Sequence, residues 1–178
     1  MLGWTLLIPV KPLPRGKSRL RSATADPAGH ARLVDAIRRH TMRAAEEADG
    51  VNRVLIVDQP GLNAALRAAA EQARRQFPED GVAALVGDLP ALRPSELAAA
   101  LTQAADYPRA FVADSAGTGT TLLTARPGVT LDPAFGAGSA RRHATAAVQL
   151  EAGPGLRCDV DTPADLAMAT KLGARIEV

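Results

Sequence analysis

Short apolar runs alternate with longer segments of helical periodicity along most of this chain. The runs at residues 5–10, 54–57, 82–86, 110–113 and 120–124 predict strands. Helical patterns cover 26–48 and 64–76, a helix beginning at Pro94, a short helix over 139–147 and a last one opening at 162–165. Strands that alternate with helices predict an α/β domain with a largely parallel sheet.

Capping residues mark several of the predicted helix ends. Asn63 can cap the helix over 64–76, and Pro94 suits the first helical position. Thr162 and Asp165 have the spacing of a capping box, and Gly173 can end the last helix.

The composition favours one domain with a core of small aliphatic side chains. A chain of 178 residues suits a single domain, 1–178, and with three Phe, one Trp and one Tyr its core must consist of Ala, Leu and Val. The single cysteine, Cys158, excludes an internal disulfide framework, and we expect it to be buried packing. The first apolar run has no basic region before it and is too short to span a bilayer. We therefore expect a cytoplasmic protein with no membrane partner.

The basic excess is mild, with a net charge of +2 and a pI near 9.1. Aromatic residues are not interleaved with the basic ones, so the pattern does not support nucleic-acid binding by stacking. A local basic loop for an anionic small molecule fits better.

The most informative motif follows the predicted strand 82–86, where an apolar run ends in Gly87-Asp88 and then Leu-Pro. Open α/β sheets bind ligands at the carboxyl ends of their strands. A carboxylate there is well placed to hold a divalent metal against phosphates. A simple turn after a core strand explains the motif equally well when it is taken alone.

A basic loop follows the first predicted strand and contains Lys11, Gly16, Lys17 and Arg19. Gly16 allows close backbone approach, and Lys17 and Arg19 supply positive charge for a triphosphate. The loop has neither the Walker A spacing nor the dinucleotide Gly-x-Gly-x-x-Gly spacing. Composition alone favours a solvated basic loop.

Two alternating carboxylates, Asp159 and Asp161, stand near the carboxyl end of the chain. In an extended strand they would face the same side. The capping box explains Asp165 but leaves these two acids without a structural explanation. One of them and Asp88 could share a magnesium ion, or each could hold one.

Two Gly-rich turns, 114–121 and 135–143, are candidate anion sites. Taken alone, the first is well explained as a hairpin turn. In the second, Ser139 and the following arginine pair could seat a phosphate or carboxylate at a helix start, although an ordinary capped surface helix fits as well. His143 could help to bind an anion, but we expect it to be an exposed helical residue.

These segments, in this order, resemble the guanylyltransferase family of deazaflavin coenzyme biosynthesis, whose members join GTP to 2-phospho-L-lactate or phosphoenolpyruvate. The matching stretches are 9–11, 17–20, 61–63, 87–92, 111–114, 117–120, 135–136, 139 and 155–163. The resemblance runs nearly end to end. Gly-Asp-x-Pro and Asp-x-Asp-Thr-Pro occur in many nucleotidyltransferases, whereas Gly-Thr-Gly-Thr and Phe-Gly are more specific to this family.

The resemblance implies a single-domain Rossmann-like nucleotidyltransferase fold with a largely parallel mixed sheet. It implies Lys17 and Asp88 as catalytic residues, and Mg²⁺ bound by Asp88 with Asp161 or Asp159. It assigns GTP contacts to Lys11, Lys17, Arg19 and Asn63. It assigns binding of the phosphorylated three-carbon acid to Thr120, Gly136 and Ser139.

Several alternatives stay open. Bacterial members of the family often use phosphoenolpyruvate, but the residues do not choose between the two acids, and a homodimer is neither required nor excluded. A molybdenum-cofactor type nucleotidyltransferase shares Gly-Asp-x-Pro, yet carries a Gly-rich first loop where this chain has Lys11-Pro12-Leu13-Pro14. An inactive nucleotide-binding module is the third alternative, and retention of Asp88, Lys17 and both later acids argues against it.

One departure from the family concerns the stretch after the second strand. Family members usually carry another helix and strand there, whereas this chain runs from Val57 to Gly61 in a few residues. Either the chain lacks a crossover unit, or residues are missing from the numbering. We expect the second, because a parallel crossover needs about a dozen residues.

Overall fold

The computed structural model describes residues 1–10 and 18–177, with the side chain of Ser18 left out. The strands are β1 Trp4–Pro9, β2 Val51–Val57, β3 Gly81–Leu85, β4 Arg109–Ala113, β5 Thr120–Ala125 and β6 Val148–Gln149. The helices are α1 Pro27–Glu46, α2 Leu62–Gln76, α3 Pro94–Ala104, α4 Ser139–His143, α5 Pro154–Arg157 and α6 Pro163–Lys171, with a short 3₁₀ helix at Ser18–Ala23.

The six strands form one sheet in the order β2-β1-β3-β5-β4-β6. β1 pairs in parallel with β2 and β3, and β4 pairs in parallel with β6, whereas β5 is antiparallel to both of its neighbours. The predicted α/β class and largely parallel mixed sheet are confirmed. β2 and β3 lie on opposite sides of β1, which creates the switch point where such sheets bind ligands.

The central strands are apolar throughout because helices cover both faces of the sheet. All five residues of β3 are buried, and one face of the sheet packs on α1 and α3 while the other packs on α2. The stripe predicted for α1, with Leu33, Ile37, Thr41 and Ala44, is buried as expected.

Two expectations about helix ends need correction, while the Pro94 start and the Thr162 capping box are confirmed. α2 begins at Leu62 with Gly61 as its cap, so Asn63 is not a capping residue. Its amide bonds to the backbone of Phe135 instead. α4 ends at His143, short of the predicted residue 147.

The expectation that residues are missing from the numbering after Val57 stays a prediction. The backbone runs continuously from the end of β2 through residues 58–61 into α2, which itself supplies the crossover from β2 to β3. β2 is consequently an edge strand of the described sheet, and Ile56 is 44% exposed.

Candidate active site

A cleft of about 350 Å³ opens at the carboxyl ends of β1, β2 and β3. Its walls include Val10 after β1, Val57 at the end of β2, and Gly87 after β3. This is the switch point of the sheet, and the volume is within the usual range for a small-molecule site.

Three carboxylates meet at one side of this cleft. Asp88, Asp159 and Asp161 each offer an oxygen that lies within 4.8 Å of the others. The first two are half-buried and Asp161 is exposed. The structure thus brings together all three acids that the sequence singled out. Their role as metal ligands stays a prediction.

The expected strand around the two later acids is not formed. Asp159 and Asp161 lie in the loop between α5 and α6. This loop is held against the turn after β3 because the amide of Val160 donates to the backbone carbonyl of Asp88, at 3.0 Å. Val160 is itself buried, with Leu20 and Cys158, in a third apolar cluster.

The turn that carries Asp88 is held by α1 and β1. The amide of Leu89 donates to Thr41 Oγ1 at 2.9 Å, and the Thr41 hydroxyl donates to the carbonyl of Ile37 at 3.0 Å. A Cβ at Gly87 would lie 3.3 Å from the carbonyl oxygen of Pro9, so glycine permits this close approach to β1.

Arg38 is a member of the cleft that the sequence did not single out. It projects from α1 into the cleft wall, where burial lowers the pKa of its guanidinium and nearby Asp88 acts in the opposite direction. The sequence feature that could have identified Arg38 is its position on the apolar side of α1, four residues after the buried Val34. Arg38 therefore adds positive charge to the cleft close to Asp88.

A second polar cluster contains two of the predicted acid-binding residues. Thr120 is 7% exposed and Ser139 is 1% exposed, and Ser139 Oγ donates to Thr120 Oγ1 at 3.0 Å. The amide of Val86 donates to the carbonyl of Thr121 at 3.0 Å. The start of β5 therefore lies at the same edge of the sheet as Asp88.

A shift in pairing register directs Thr120 toward α4. Val112 pairs with Leu122 but Ala113 pairs with Thr120, so Thr121 is an extra residue of β5. Leu122 packs on the α1 and α3 face, whereas Thr120 bonds to residues of α4, which packs on the α2 face.

His143 is buried, which corrects the expectation of an exposed helical residue. It is 4% exposed, and its Nδ1 lies 2.8 Å from Thr120 Oγ1. Burial, the main cause, and the charge of Arg142 lower the pKa of His143 to about 4, against an opposing contribution from Asp132.

Gly136 is the third residue predicted to bind the acid substrate. It lies in a loop whose backbone is held by hydrogen bonds to the side chains of Asn63 and Arg142. Asn63 Nδ2 donates to the carbonyl of Phe135 at 3.0 Å, and the amide of Phe135 donates back to Asn63 Oδ1 at 2.8 Å. The Arg142 guanidinium donates to the carbonyls of Ala134 and Ala137. The φ of Gly136 is +122°, a conformation that favours glycine.

The remaining predicted residues are less informative. Lys11 and Lys17 lie outside the described residues, and Arg19 is exposed in the 3₁₀ helix. Cys158 is buried as predicted, at 3% exposure, and burial together with the Asp159, Asp165 and Asp88 carboxylates raises the pKa of its thiol. Within residues 1–10 and 18–177, no helix is both long and apolar enough to cross a membrane.

Two solved structures illustrate the similarity in fold. A putative nucleotide-diphospho-sugar transferase from Desulfovibrio desulfuricans has a TM-score of 0.65 at 17% identity, covering 93% of this chain and 85% of its own. A 4-diphosphocytidyl-2C-methyl-D-erythritol synthase has a TM-score of 0.59 at 11% identity, covering 97% and 99%. At these identities the likeness establishes the fold alone.

No family model matches the chain. Curated relatives named phosphoenolpyruvate guanylyltransferase match it nearly end to end. The Streptomyces scabiei protein is 47% identical over 198 residues, covering 96% of this chain and 91% of the relative. The Thermomonospora curvata protein is 43% identical over 196 residues, covering 97% and 85%. Both alignments exceed the 178 residues of this chain, so these relatives carry segments that it lacks. Identity of this extent shows that the chain belongs to the phosphoenolpyruvate guanylyltransferase family.

Proposed function

We propose that this protein transfers the guanylyl group of GTP to phosphoenolpyruvate and releases pyrophosphate, as a step in deazaflavin coenzyme synthesis. The observation that carries the proposal is the group of three carboxylates, within 4.8 Å of one another, beside a cleft at the switch point of the sheet. The names of the relatives favour phosphoenolpyruvate over 2-phospho-L-lactate.

The reaction needs positioning and charge neutralisation more than proton transfer. A phosphate oxygen of the acid attacks the α-phosphorus of GTP in line. The bond from that phosphorus to the bridging oxygen breaks, and the electron pair leaves with pyrophosphate. The attacking phosphate is already ionised at neutral pH, so no general base is required.

We propose that Mg²⁺ binds to Asp88, Asp159 and Asp161. Carboxylate oxygens are the ligands that this cation prefers, and the spacing of the three acids suits a single ion. When bound, the cation would neutralise negative charge on the phosphate oxygens. Without a cation, the three acids would repel the negatively charged phosphates of GTP.

The protein's own cations supply the rest of the charge. Lys11, Lys17 and Arg19 are proposed to contact the GTP phosphates, with Lys17 acting in catalysis together with Asp88. Arg38 of α1 joins them because its guanidinium lines the cleft close to Asp88. Guanidinium groups pair well with phosphate oxygens.

The remaining assignments concern the two substrates. Thr120, Gly136 and Ser139 are proposed to bind the phosphorylated acid, and Asn63 to lie near the nucleoside. The buried, hydrogen-bonded Thr120–Ser139 pair supports the first assignment. We also propose a cytoplasmic location, which the single reduced cysteine fits, and leave a homodimer as a prediction for sedimentation analysis.

Release of pyrophosphate tests the function directly. We expect release from GTP with phosphoenolpyruvate, slower or no release with 2-phospho-L-lactate, and none when EDTA removes the metal. ATP and CTP serve as matched controls for the base. Release with a molybdopterin substrate instead, or tight GTP binding without release, would contradict the proposal.

A further inference from the structure

Two hydrogen bonds and two aromatic neighbours hold the His143 ring in place. Its Nδ1 lies 2.8 Å from Thr120 Oγ1, and the amide of Ala134 donates to its Nε2 at 2.9 Å. The ring centroids of Phe135 and Phe111 lie 5.2 Å and 6.0 Å from the imidazole centroid. The ring thus has one defined orientation between β5 and the loop before α4.

These contacts determine which ring nitrogen carries the proton. A backbone amide can only donate, so Nε2 must be the unprotonated nitrogen that accepts from Ala134. The neutral ring then carries its proton on Nδ1 and donates it to Thr120 Oγ1. An imidazolium would direct a second N–H at the Ala134 amide.

The direction of the hydrogen bond between His143 Nδ1 and Thr120 Oγ1 determines whether the Thr120 hydroxyl can donate to a further group. Thr120 Oγ1 accepts from His143 Nδ1 and from Ser139 Oγ. A hydroxyl has two lone pairs and one proton, and neither of these two bonds uses the proton. Thr120 is therefore set to donate to a third atom.

We propose that His143 is a positioning residue that makes Thr120 a hydrogen-bond donor to a phosphate oxygen of the acid substrate. The identity of the acceptor rests on the proposed function. An ionised phosphate only accepts hydrogen bonds. If His143 were protonated at Nε2 instead, the Thr120 hydroxyl would donate its proton to Nδ1. Thr120 would then face the anion with an oxygen lone pair.

The ring also stays neutral where the enzyme would work. Burial and the neighbouring Arg142 lower the pKa of His143 to about 4, although Asp132 acts against them. Among residues 1–10 and 18–177, Arg142 and Asp132 are the charged groups that shift the pKa of the ring. Between pH 5.5 and 8 we expect no change in the hydrogen-bond direction.

The tautomer can be measured without any activity. Long-range proton–nitrogen NMR correlations on ¹⁵N-histidine-labelled protein should show His143 protonated at Nδ1 and unprotonated at Nε2. The same signals should not titrate between pH 5.5 and 8. Protonation at Nε2, or titration near pH 6.5, would overturn the inference even if the enzyme is active.

Two substitutions separate the two ring contacts. The side-chain amide of His143→Asn places an N–H where Nδ1 stood, whereas His143→Gln keeps an acceptor for Ala134 but no donor to Thr120. We expect His143→Gln to raise the KM for phosphoenolpyruvate about tenfold with the KM for GTP unchanged. His143→Asn should recover most of that loss.

A double-mutant cycle tests whether His143 acts through Thr120. In a Thr120→Val background, His143→Gln should have no further effect on the KM for phosphoenolpyruvate. Additive effects, or equal changes in the two KM values, would overturn the inference. If the wild-type protein releases no pyrophosphate, the proposed function fails. The same cycle is then measured by calorimetry of phosphoenolpyruvate binding. If phosphoenolpyruvate does not bind, the assignment of the acceptor is overturned as well.

Discussion

The amide of Val160 donates to the backbone carbonyl of Asp88 at 3.0 Å, and this bond joins two distant segments of the chain. It sets the α5–α6 loop beside the turn after β3. Because Asp159 and Asp161 flank Val160, the same bond brings their carboxylates to Asp88. The arrangement of the three acids therefore depends on this backbone contact.

Asp88→Asn should abolish most turnover while leaving the fold intact. The substitution keeps the backbone carbonyl that accepts from Val160, and removes only the charge. We expect pyrophosphate release to fall on the order of 10²–10³-fold, with an unchanged melting temperature. Asp106→Asn, an exposed acid outside the cluster, is the matched control. Near-normal rates for Asp88→Asn would refute its role.

Asp159→Asn and Asp161→Asn should both weaken metal binding, and Asp159→Asn more so. Asp159 is half-buried and thus better fixed, whereas Asp161 is exposed. Titration with Mn²⁺, followed by electron paramagnetic resonance, measures the affinity. Unchanged affinity in both variants would exclude this loop from the metal site.

Thr41→Val should loosen the turn that carries Asp88. The change leaves the buried amide of Leu89 without its acceptor, which costs about 1–3 kcal/mol of unfolding free energy. We also expect a lower kcat because Asp88 is adjacent. Thr41→Ser keeps the hydroxyl and should behave nearly as the wild type in urea denaturation. Equal losses in both variants would point to the methyl group instead.

Asn63→Leu should separate two roles for this residue. It removes both hydrogen bonds to Phe135, so we expect a loss of about 1–3 kcal/mol and a higher KM for the acid, whose proposed site includes Gly136. The prediction of a nucleoside contact requires a higher KM for GTP. Asn63→Asp, which keeps the acceptor for the Phe135 amide, is the matched comparison in steady-state kinetics.

His143 should make stability depend on pH. Its pKa is lowered from 6.5 to about 4 in the folded protein, chiefly by burial and then by Arg142, with Asp132 opposing. Between these values the unfolded chain binds a proton that the folded chain does not. Stability is therefore full above pH 6.5 and falls by up to about 3 kcal/mol as the pH drops to 4.

Urea denaturation of the wild type and of His143→Gln at a series of pH values isolates this contribution, since the other titrating groups are common to both. The difference in unfolding free energy between the two proteins should shrink from pH 7 to pH 4. Parallel curves would show that His143 does not titrate with a lowered pKa.

The sequence by itself determined the features that depend on near neighbours. Buried strands such as β3, the stripe of α1 and the Thr162 capping box follow from local periodicity and from hydrogen bonds within one turn. The position of Asp88 after a buried strand followed in the same way, as did the α/β class.

Only the tertiary structure decided the contacts between distant segments. Asp88 lies beside Asp161, and Asn63 bonds to Phe135, although no local sequence pattern relates the members of either pair. The burial of His143 likewise depends on segments that are distant in sequence. Arg38 lines the cleft because α1 packs against β2 and α3, although the sequence around Arg38 has the pattern of an ordinary amphipathic helix. The packing of distant segments determines these partners, because a buried polar group is stable only when the surrounding fold provides a hydrogen-bond partner.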